Sequence, residues 1–504
     1  MKVVKGIIIY LFIQFIIRTS FGQSPNILWQ KSLGGSFYDK ATSVLELEDG
    51  GYIVGGHSQS SNFDLSMNHG GSDWWIVRLN NNGNIIWQKS LGGSNDEYLK
   101  KIIKTPDGNI LCIGDTKSNN GDITNYIDQI DFWVAKIDLF GNLIWEKCYG
   151  GVNIDIGYSV CTTDDGNFLI AGSTESQYPY IRNNHGLSDF LLIKIDPEGN
   201  EIWQKTYGGS GNETCKSIKK SSNGGYILVG NSTSIDGDLS NNFGQQDVWM
   251  LKIDNAGQVE WQQNFGGSKD DFINNFTEDH EGNFVIIGET YSFDFDAIEN
   301  HSGNGARDFF ILKISAQGNK IWNHCYGGSG DEYARGIIES NSNEYVVVGE
   351  SYSNDGQATN NIGSADVWII KLNSTDGEII WQKKYGSEGH DEPNDLILTF
   401  DNNFLFVGNT LPVQNFNDVT QHYGDDDFWI VKLLNNDCVK NLFLKKDMLY
   451  GNKNFSSSEI ISSSTKVLSS TSQIIYSAKK SILLQSGFST QNGAVFEAKI
   501  EGCN

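Results

Sequence analysis

Proline, methionine and basic residues are scarce in this chain of 504 residues: 6 Pro, 4 Met, and 37 Lys plus Arg against 62 Asp plus Glu. The formal charge of −25 argues against a nucleic-acid partner, whose phosphates demand a basic face. Long apolar runs are also missing. After the N-terminal segment nothing approaches the ~20 residues that a membrane-spanning helix needs. There is no CxxC, no Cys/His cluster at zinc spacing, no HExxH, no GxSxG elbow and no phosphate-cradling P-loop. What is abundant is glycine, at 56 residues, and aromatic side chains, at 12%. That aromatic content gives the chain ample surface to bury and rules out a disordered polymer.

Residues 1–22 have the pattern of a secretory signal. Lys2 and Lys5 precede an apolar stretch from Gly6 to Ile17, and Ser20-Phe21-Gly22 is a small-x-small cleavage site. The mature chain is expected to start at Gln23 and to be secreted or held at the cell surface. With no Cys at the cleavage site, lipidation there is not expected. The charge changes character near residue 437, after which eight Lys stand against four acids. This marks a domain boundary, with a large body over 23–436 and a small C-terminal domain over 437–504. Export permits disulfides. Cys112, Cys148, Cys161, Cys215 and Cys325 sit singly in apolar strand patterns and are expected to be buried thiols. Cys438 and Cys503 bracket the tail and are expected to form a disulfide.

Internal repetition dominates the body. Trp recurs at 29, 87, 145, 203, 261, 322 and 381, and a Gly-Gly doublet follows five residues later in six of the seven cases, with Gly386-Ser387 in the last. An Asp opens a later apolar run at Asp73, Asp131, Asp189, Asp247, Asp308, Asp366 and Asp427. Each repeat reads as four short strands, A to D, rich in β-branched and aromatic residues and punctuated by Gly and Asn turns. Seven four-stranded units of about this length predict an all-β, seven-bladed β-propeller. The series opens with a lone D strand, Ile27 to Leu33, and stops after a C strand, Phe428 to Leu433. Pairing of these two would close the ring and remove both open edges.

The segment GYIVGG…SDWWIVRLNNNGNIIWQKSLGGSNDE resembles the propeller repeats of proteins exported by the type IX secretion system of Gram-negative bacteria, over residues 27–434. The resemblance implies an extracellular location and no particular activity. The C strand, its Gly-Asn turn and the Trp-bearing D strand also resemble quinoprotein blades. In those families quinone binding goes with an adjacent Cys pair, which this chain lacks. The tail segment IIYSAKKSILLQSGFSTQNGAVFEAKIEGC is similar to the coathanger-stack domains that end such exported proteins, and implies surface display or sorting. Its apolar pairs, spaced by about seven residues among serines, read as short stacked strands.

An acid stands ten residues after every repeat Trp: Asp39, Glu97, Asp155, Glu213, Asp271, Glu332 and Asp391. A carboxylate after a Gly-Gly turn can accept backbone N–H groups and fix the turn. The same seven residues are the candidate metal ligands, because they open the innermost strand and could form a cation-attracting mouth. Alternating oxygen ligands in the B–C loops, as at Asp236-Gly237-Asp238, make calcium the cofactor to test, although no EF-hand pattern is complete. His69, His185, His301 and His422 fall in B–C loops and read as solvated side chains. The Trp series and the C-strand aromatics read as packing between blades. The strand-C cations, from Arg78 to Lys432, are expected to pair locally. No catalytic residue can be assigned. The expected function is a non-enzymatic binding or structural module for an extracellular glycan or protein. The alternative is a polysaccharide hydrolase or lyase with its site at the axial mouth.

Overall fold

The computed structural model describes residues 24–435 apart from 240, 302–304, 341–342 and 413–416. Beyond these it describes short strands between 441 and 499, with side chains only at Tyr476 and Ile482. Six antiparallel sheets each take four consecutive strands, the first spanning Asp39–Glu46, Tyr52–Ser58, Asp73–Leu79 and Ile85–Leu91. The seventh sheet combines the last three strands of the ring, His390–Leu398, Phe404–Leu411 and Asp427–Leu433, with the first, Ile27–Leu33. In it Leu33 lies opposite Phe428 and Lys31 opposite Ile430. The body is therefore a closed seven-bladed propeller, joined where N- and C-terminal strands of the ring share one blade.

The residue pattern of each strand follows from its place in a blade. Strands B and C run apolar on both faces, as in VWIIKL of the sixth blade, because neighbouring blades cover both. Strand D lies at the outer edge and leaves part of its length exposed. Strand A of each blade contacts strand A of the next, all round the axis. Aromatic side chains from the C strands of adjacent blades meet between the sheets: Trp74 and Trp133 at 4.0 Å between ring centroids, Phe428 and Trp75 at 4.4 Å, Phe309 and Trp368 at 4.9 Å. Described core clusters fill every gap between blades.

The Trp series packs between blades as expected, but to different depths, and the expectation for the cysteines needs correction. The C-strand tryptophans are fully buried and Trp322 and Trp381 on strand D are buried, whereas Trp29, Trp87, Trp145, Trp203 and Trp261 on strand D are half-buried against the inter-blade clusters. They cap the core from outside, and Trp87 and Trp145 each donate an indole N–H at 3.0 Å to a carbonyl in the C–D turn of the next blade. Among the five cysteines of the propeller, Cys112, Cys215 and Cys325 are buried, whereas Cys148 and Cys161 are half-buried. All five are free thiols. The strand-C cations pair locally as expected, Lys136 with Asp107 at 2.7 Å and Lys432 with Asp401 at 2.7 Å.

The C-terminal strands pair in parallel at offsets of about twenty residues, Asn452–Ser457 with Gln473–Ala478 and that strand with Val495–Lys499. Ile460–Ser463 and Ser481–Leu484 repeat the arrangement. This is the geometry of short stacked strands. Cys438 and Cys503 lie outside the described residues. Among the described residues no helix is long and apolar enough to cross a membrane.

Candidate functional site

The seven repeat acids are placed by the Gly-Gly turn that precedes each of them. In the second blade Glu97 Oε2 accepts the Gly93 N–H at 2.7 Å and Oε1 accepts the Thr116 hydroxyl at 2.8 Å. Asp39 takes the N–H of Gly35, Asp155 of Gly151, Glu213 of Gly209, Asp271 of Gly267, Glu332 of Gly328 and Asp391 of Ser387. Each acid also has a hydroxyl partner from the end of strand B or just beyond it, such as Ser232 and Ser234 for Glu213, both at 2.7 Å. The backbone N–H of each acid reaches back to the preceding blade, as from Asp155 to the Ile130 carbonyl at 2.8 Å. All seven side chains are fully buried. Among the described residues no group of three or more His, Cys, Asp or Glu is placed to hold a metal ion.

The Asp that opens strand C stands beside the acid of the next blade. A Cβ on Gly92 would collide with both Asp73 and Glu97, so only glycine allows this close approach. Burial raises the pKa of most of these groups, Asp39, Asp131, Asp247 and Glu332 to about 7 and Asp155, Asp271 and Asp366 to about 6. The neighbouring carboxylate adds to the rise for Asp131, Asp247 and Asp366.

His69, His185 and His301 are exposed, as expected of loop histidines, and His422 is half-buried; each ring also stands beside the Asp that opens its strand C. His69 Nδ1 lies 2.7 Å from Asp73 Oδ2, His185 Nδ1 2.8 Å from Asp189 Oδ2 and His301 Nδ1 2.9 Å from Asp308 Oδ2. His422 Nδ1 is 3.0 Å from Asp427 Oδ2 but not aligned as a hydrogen bond. In the even blades backbone N–H groups alone serve Oδ2 of the Asp, from Ile127, from Phe243 and Gly244, or from Ile362 and Gly363.

The axial channel has a cavity volume of about 710 Å³, and none of the seven acids lines it. Its wall is set by a backbone irregularity that occurs in all seven blades. The A–B register slips by one residue between Ala41 and Ser43, Leu99 and Lys101, Gly157 and Ser159, Cys215 and Ser217, Ile273 and Asn275, Ala334 and Gly336, and Pro393 and Asp395. A β-bulge of this kind re-aims the extra side chain. The seven bulged residues are Thr42, Lys100, Tyr158, Lys216, Asn274, Arg335 and Asn394, and every one of them lines the channel.

In a chain of net charge −25 this lining is basic. Lys40, Lys100, Lys101, Lys216, Lys219 and Arg335 stand against Glu392 and Asp395. Both carboxylates are engaged, Glu392 by Lys40 at 2.7 Å and by Arg335 at 3.6 Å, Asp395 by Lys101 at 2.8 Å and by the Ser43 hydroxyl at 3.0 Å. Burial pushes Glu392 up, but Lys40 and Arg335 outweigh it and hold the group below its ordinary value. His57 stays neutral, because burial, Lys100 and Lys40 lower its pKa. The site therefore offers fixed positive charge, phenol rings and amides. It offers no uncommitted carboxyl of the kind that general acid catalysis needs.

No family model matches the chain. Among curated proteins it is similar to the regulatory protein FlaEY of Caulobacter vibrioides, 22% identical over 214 residues. That match spans 40% of this chain and 22% of the relative's length. Among solved structures it is similar to the quinohemoprotein alcohol dehydrogenase from Comamonas testosteroni, with 10% identity and a TM-score of 0.45, covering 82% of this chain and 78% of that one. BamB from Moraxella catarrhalis gives 11% identity and a TM-score of 0.38, covering 82% of this chain and 100% of that one. At such identities the likeness concerns the fold alone.

Sequence reasoning missed the bulge ring, the basic channel and the His–Asp pairs. A signal for the first existed. Three residues after each repeat acid the chemistry changes from blade to blade, whereas the acid position holds a carboxylate, Asp or Glu, in every blade.

Proposed function

We propose that this protein is an exported propeller that works by binding, outside the cell or at its surface, and that the axial channel is its binding site. One observation carries the reading. Positions that hold the ring together repeat in type, an acid at the start of every strand A and an Asp at the start of every strand C. The bulge position keeps its geometry in all seven blades but holds five different residue types, Thr, Lys, Tyr, Asn and Arg. Invariant placement of varied chemistry is what recognition by a repeat protein requires, and what packing does not.

The signal-like residues 1–22 and the resemblance to type IX cargo and coathanger-stack tails support the extracellular assignment. The ion-paired state of Glu392 and Asp395 supports binding over hydrolysis. The test is a screen of the chain from residue 23 against glycans and extracellular proteins, with and without calcium, alongside Asn274→Trp, which fills the channel. A ligand lost in Asn274→Trp is the expected result. Ligands that bind the filled variant equally well would move the site elsewhere, and release of reducing sugar from a polysaccharide would restore the enzyme reading.

A further inference from the structure

An ammonium or guanidinium drawn partly out of water, as the half-buried channel cations are, gains from an opposite charge or a set of acceptors. Most channel cations are met. Lys40 pairs with Glu392, Lys101 with Asp395, and Lys100 lies 3.3 Å from Asp115. Lys216 is different. Its Nζ sits 4.1 Å from the Tyr158 ring centroid, and among the described residues it makes no ion pair. Arg335 spends one Nη on Glu350 at 3.0 Å and on Glu392 at 3.6 Å, while its Nε is buried without a hydrogen-bond partner.

These two unfinished groups belong together. Lys100, Lys216 and Arg335 occupy the bulges of the second, fourth and sixth blades, so the chain places three cations at one level of the channel. Burial is the main cause of the lowered Lys216 pKa, about 8, and like charge from Lys100 and Arg335 adds to it, with Glu289 pulling the other way. The three groups therefore sense one another across the channel. One level further along strand A, Lys219 donates to the Phe276 carbonyl and has no carboxylate partner among the described residues. Tyr158 and Asn274 stand on the blades between the three cations.

We propose that the bulge ring binds a small, multiply charged oxyanion, through carboxylate or phosphate oxygens, between Lys100, Lys216 and Arg335. The proposal rests on the channel being the binding site and names the class of ligand. An oxyanion supplies the missing partner of Lys216 and a further acceptor for the part of the Arg335 guanidinium that lines the channel, and charge-assisted bonds of this kind are the strong ones. A cavity of about 710 Å³ admits a tricarboxylate or a short oligophosphate. The acidic exterior does not oppose such binding, because surface charges more than ~8–10 Å away are screened at physiological salt.

The experiment is isothermal titration calorimetry of the chain from residue 23 at pH 7 and ~0.15 M salt, with citrate, tripolyphosphate and, as an uncharged comparison, maltotriose. Saturable binding of citrate or of tripolyphosphate is expected, and which of the two binds tells carboxylate from phosphate recognition. Lys216→Met and Arg335→Gln should each weaken it tenfold or more, and Lys89→Gln on an exposed outer strand should not. Lys216→Met should melt no lower than the wild type, because Lys216 is half-buried and makes no ion pair among the described residues that the substitution would break, so lost binding will not reflect unfolding. Absence of binding by both anions, wild-type affinity in Lys216→Met, or equal weakening by Lys89→Gln would overturn the proposal. If a ligand from the screen is lost in Asn274→Trp while neither anion binds, the channel stands and the oxyanion class falls. If screened ligands bind Asn274→Trp unchanged, the channel itself falls.

Discussion

Asp131 of the second blade and Asp155 of the third are buried on either side of Gly150, and each leaves an Oδ1 without a hydrogen-bond partner. Two carboxylates so placed resist being ionised together, so a proton on either relieves both. Six equivalent junctions surround the axis, and the Oδ1 of every strand-C Asp is unpartnered.

The consequence is a pH dependence of unusual sign for an acidic protein. The folded pKa of Asp131 is raised to about 7 and that of Asp155 to about 6, mainly by burial, above their ordinary value of 3.8. A group raised on folding holds its proton more tightly in the native state. Its contribution is complete below the unfolded pKa and disappears as pH rises through the folded value. Thermal stability should therefore fall from about pH 4 to pH 7, most steeply between about 4.5 and 6, and level off above about pH 7. Asp131→Asn places an amide N–H next to Asp155 and should raise the melting temperature at pH 8 more than at pH 5. A melt that is flat or rises over this range would show that the pairs do not titrate there.

Tryptophans at the two repeat positions should differ in cost. Trp133 is fully buried against Trp74, and its indole N–H reaches Glu146 at 2.9 Å. Trp133→Ala should cost about 3–5 kcal/mol, as large-to-small core changes do. Trp145 is half-buried at the rim, so Trp145→Ala should cost about 1–3 kcal/mol. Urea unfolding of both variants gives the comparison, and equal losses would mean that the rim position carries core weight.

Closure of the ring predicts the effect of an N-terminal deletion. Without residues 24–33, the strand Asp427–Leu433 loses its hydrogen-bonded neighbour and becomes an open edge. The deleted chain should melt at lower temperature and self-associate in size-exclusion chromatography. Unchanged melting and a monodisperse profile would show that the other six blades hold the ring without the shared one.

The fold was legible because its rules are written in residue types that repeat. The spacing of Trp29 to Trp381 gave the number of blades, and the lone first and last strands gave the closure. The channel was not legible for the opposite reason. A bulge is a slip of register between two backbones, and its occupant, from Thr42 to Asn394, repeats in place but not in type. The His–Asp pairs were hidden by loop length, since His69 precedes its partner by four residues and His301 by seven. The basic lining was masked by the net charge of −25, which sums the whole chain and does not describe its axis.

The tail gives a covalent prediction. A small Ser-rich domain buries little core, and a cross-link between Cys438 and Cys503 would add about 2–4 kcal/mol. Peptide mapping of exported protein under non-reducing conditions should find the pair linked and the five propeller cysteines free. Free thiols at both tail positions would refute it.

The last prediction concerns calcium and the ring of acids. A cation needs carboxylate oxygens with lone pairs to spare. Asp271 has committed both of its oxygens, Oδ2 to the Gly267 N–H at 2.6 Å and the Ser292 hydroxyl at 2.9 Å, and Oδ1 to the Thr290 hydroxyl. Glu213 is committed in the same way to Gly209, Ser232 and Ser234. Donors already occupy both oxygens of these two acids, and the strand-C Asp with its unpartnered Oδ1 does not complete a group of three ligands with them among the described residues, so the melting temperature should be the same in EDTA and in millimolar calcium. Asp271→Asn and Glu213→Gln should each lose about 1–3 kcal/mol, the cost of leaving buried donors without an acceptor. A ligand that binds only the folded state raises its stability by mass action. A calcium-dependent rise in the wild-type melt that vanishes in the double variant would therefore make the acids cation ligands, and loss of stability without any calcium effect would make them the groups that fix the seven turns.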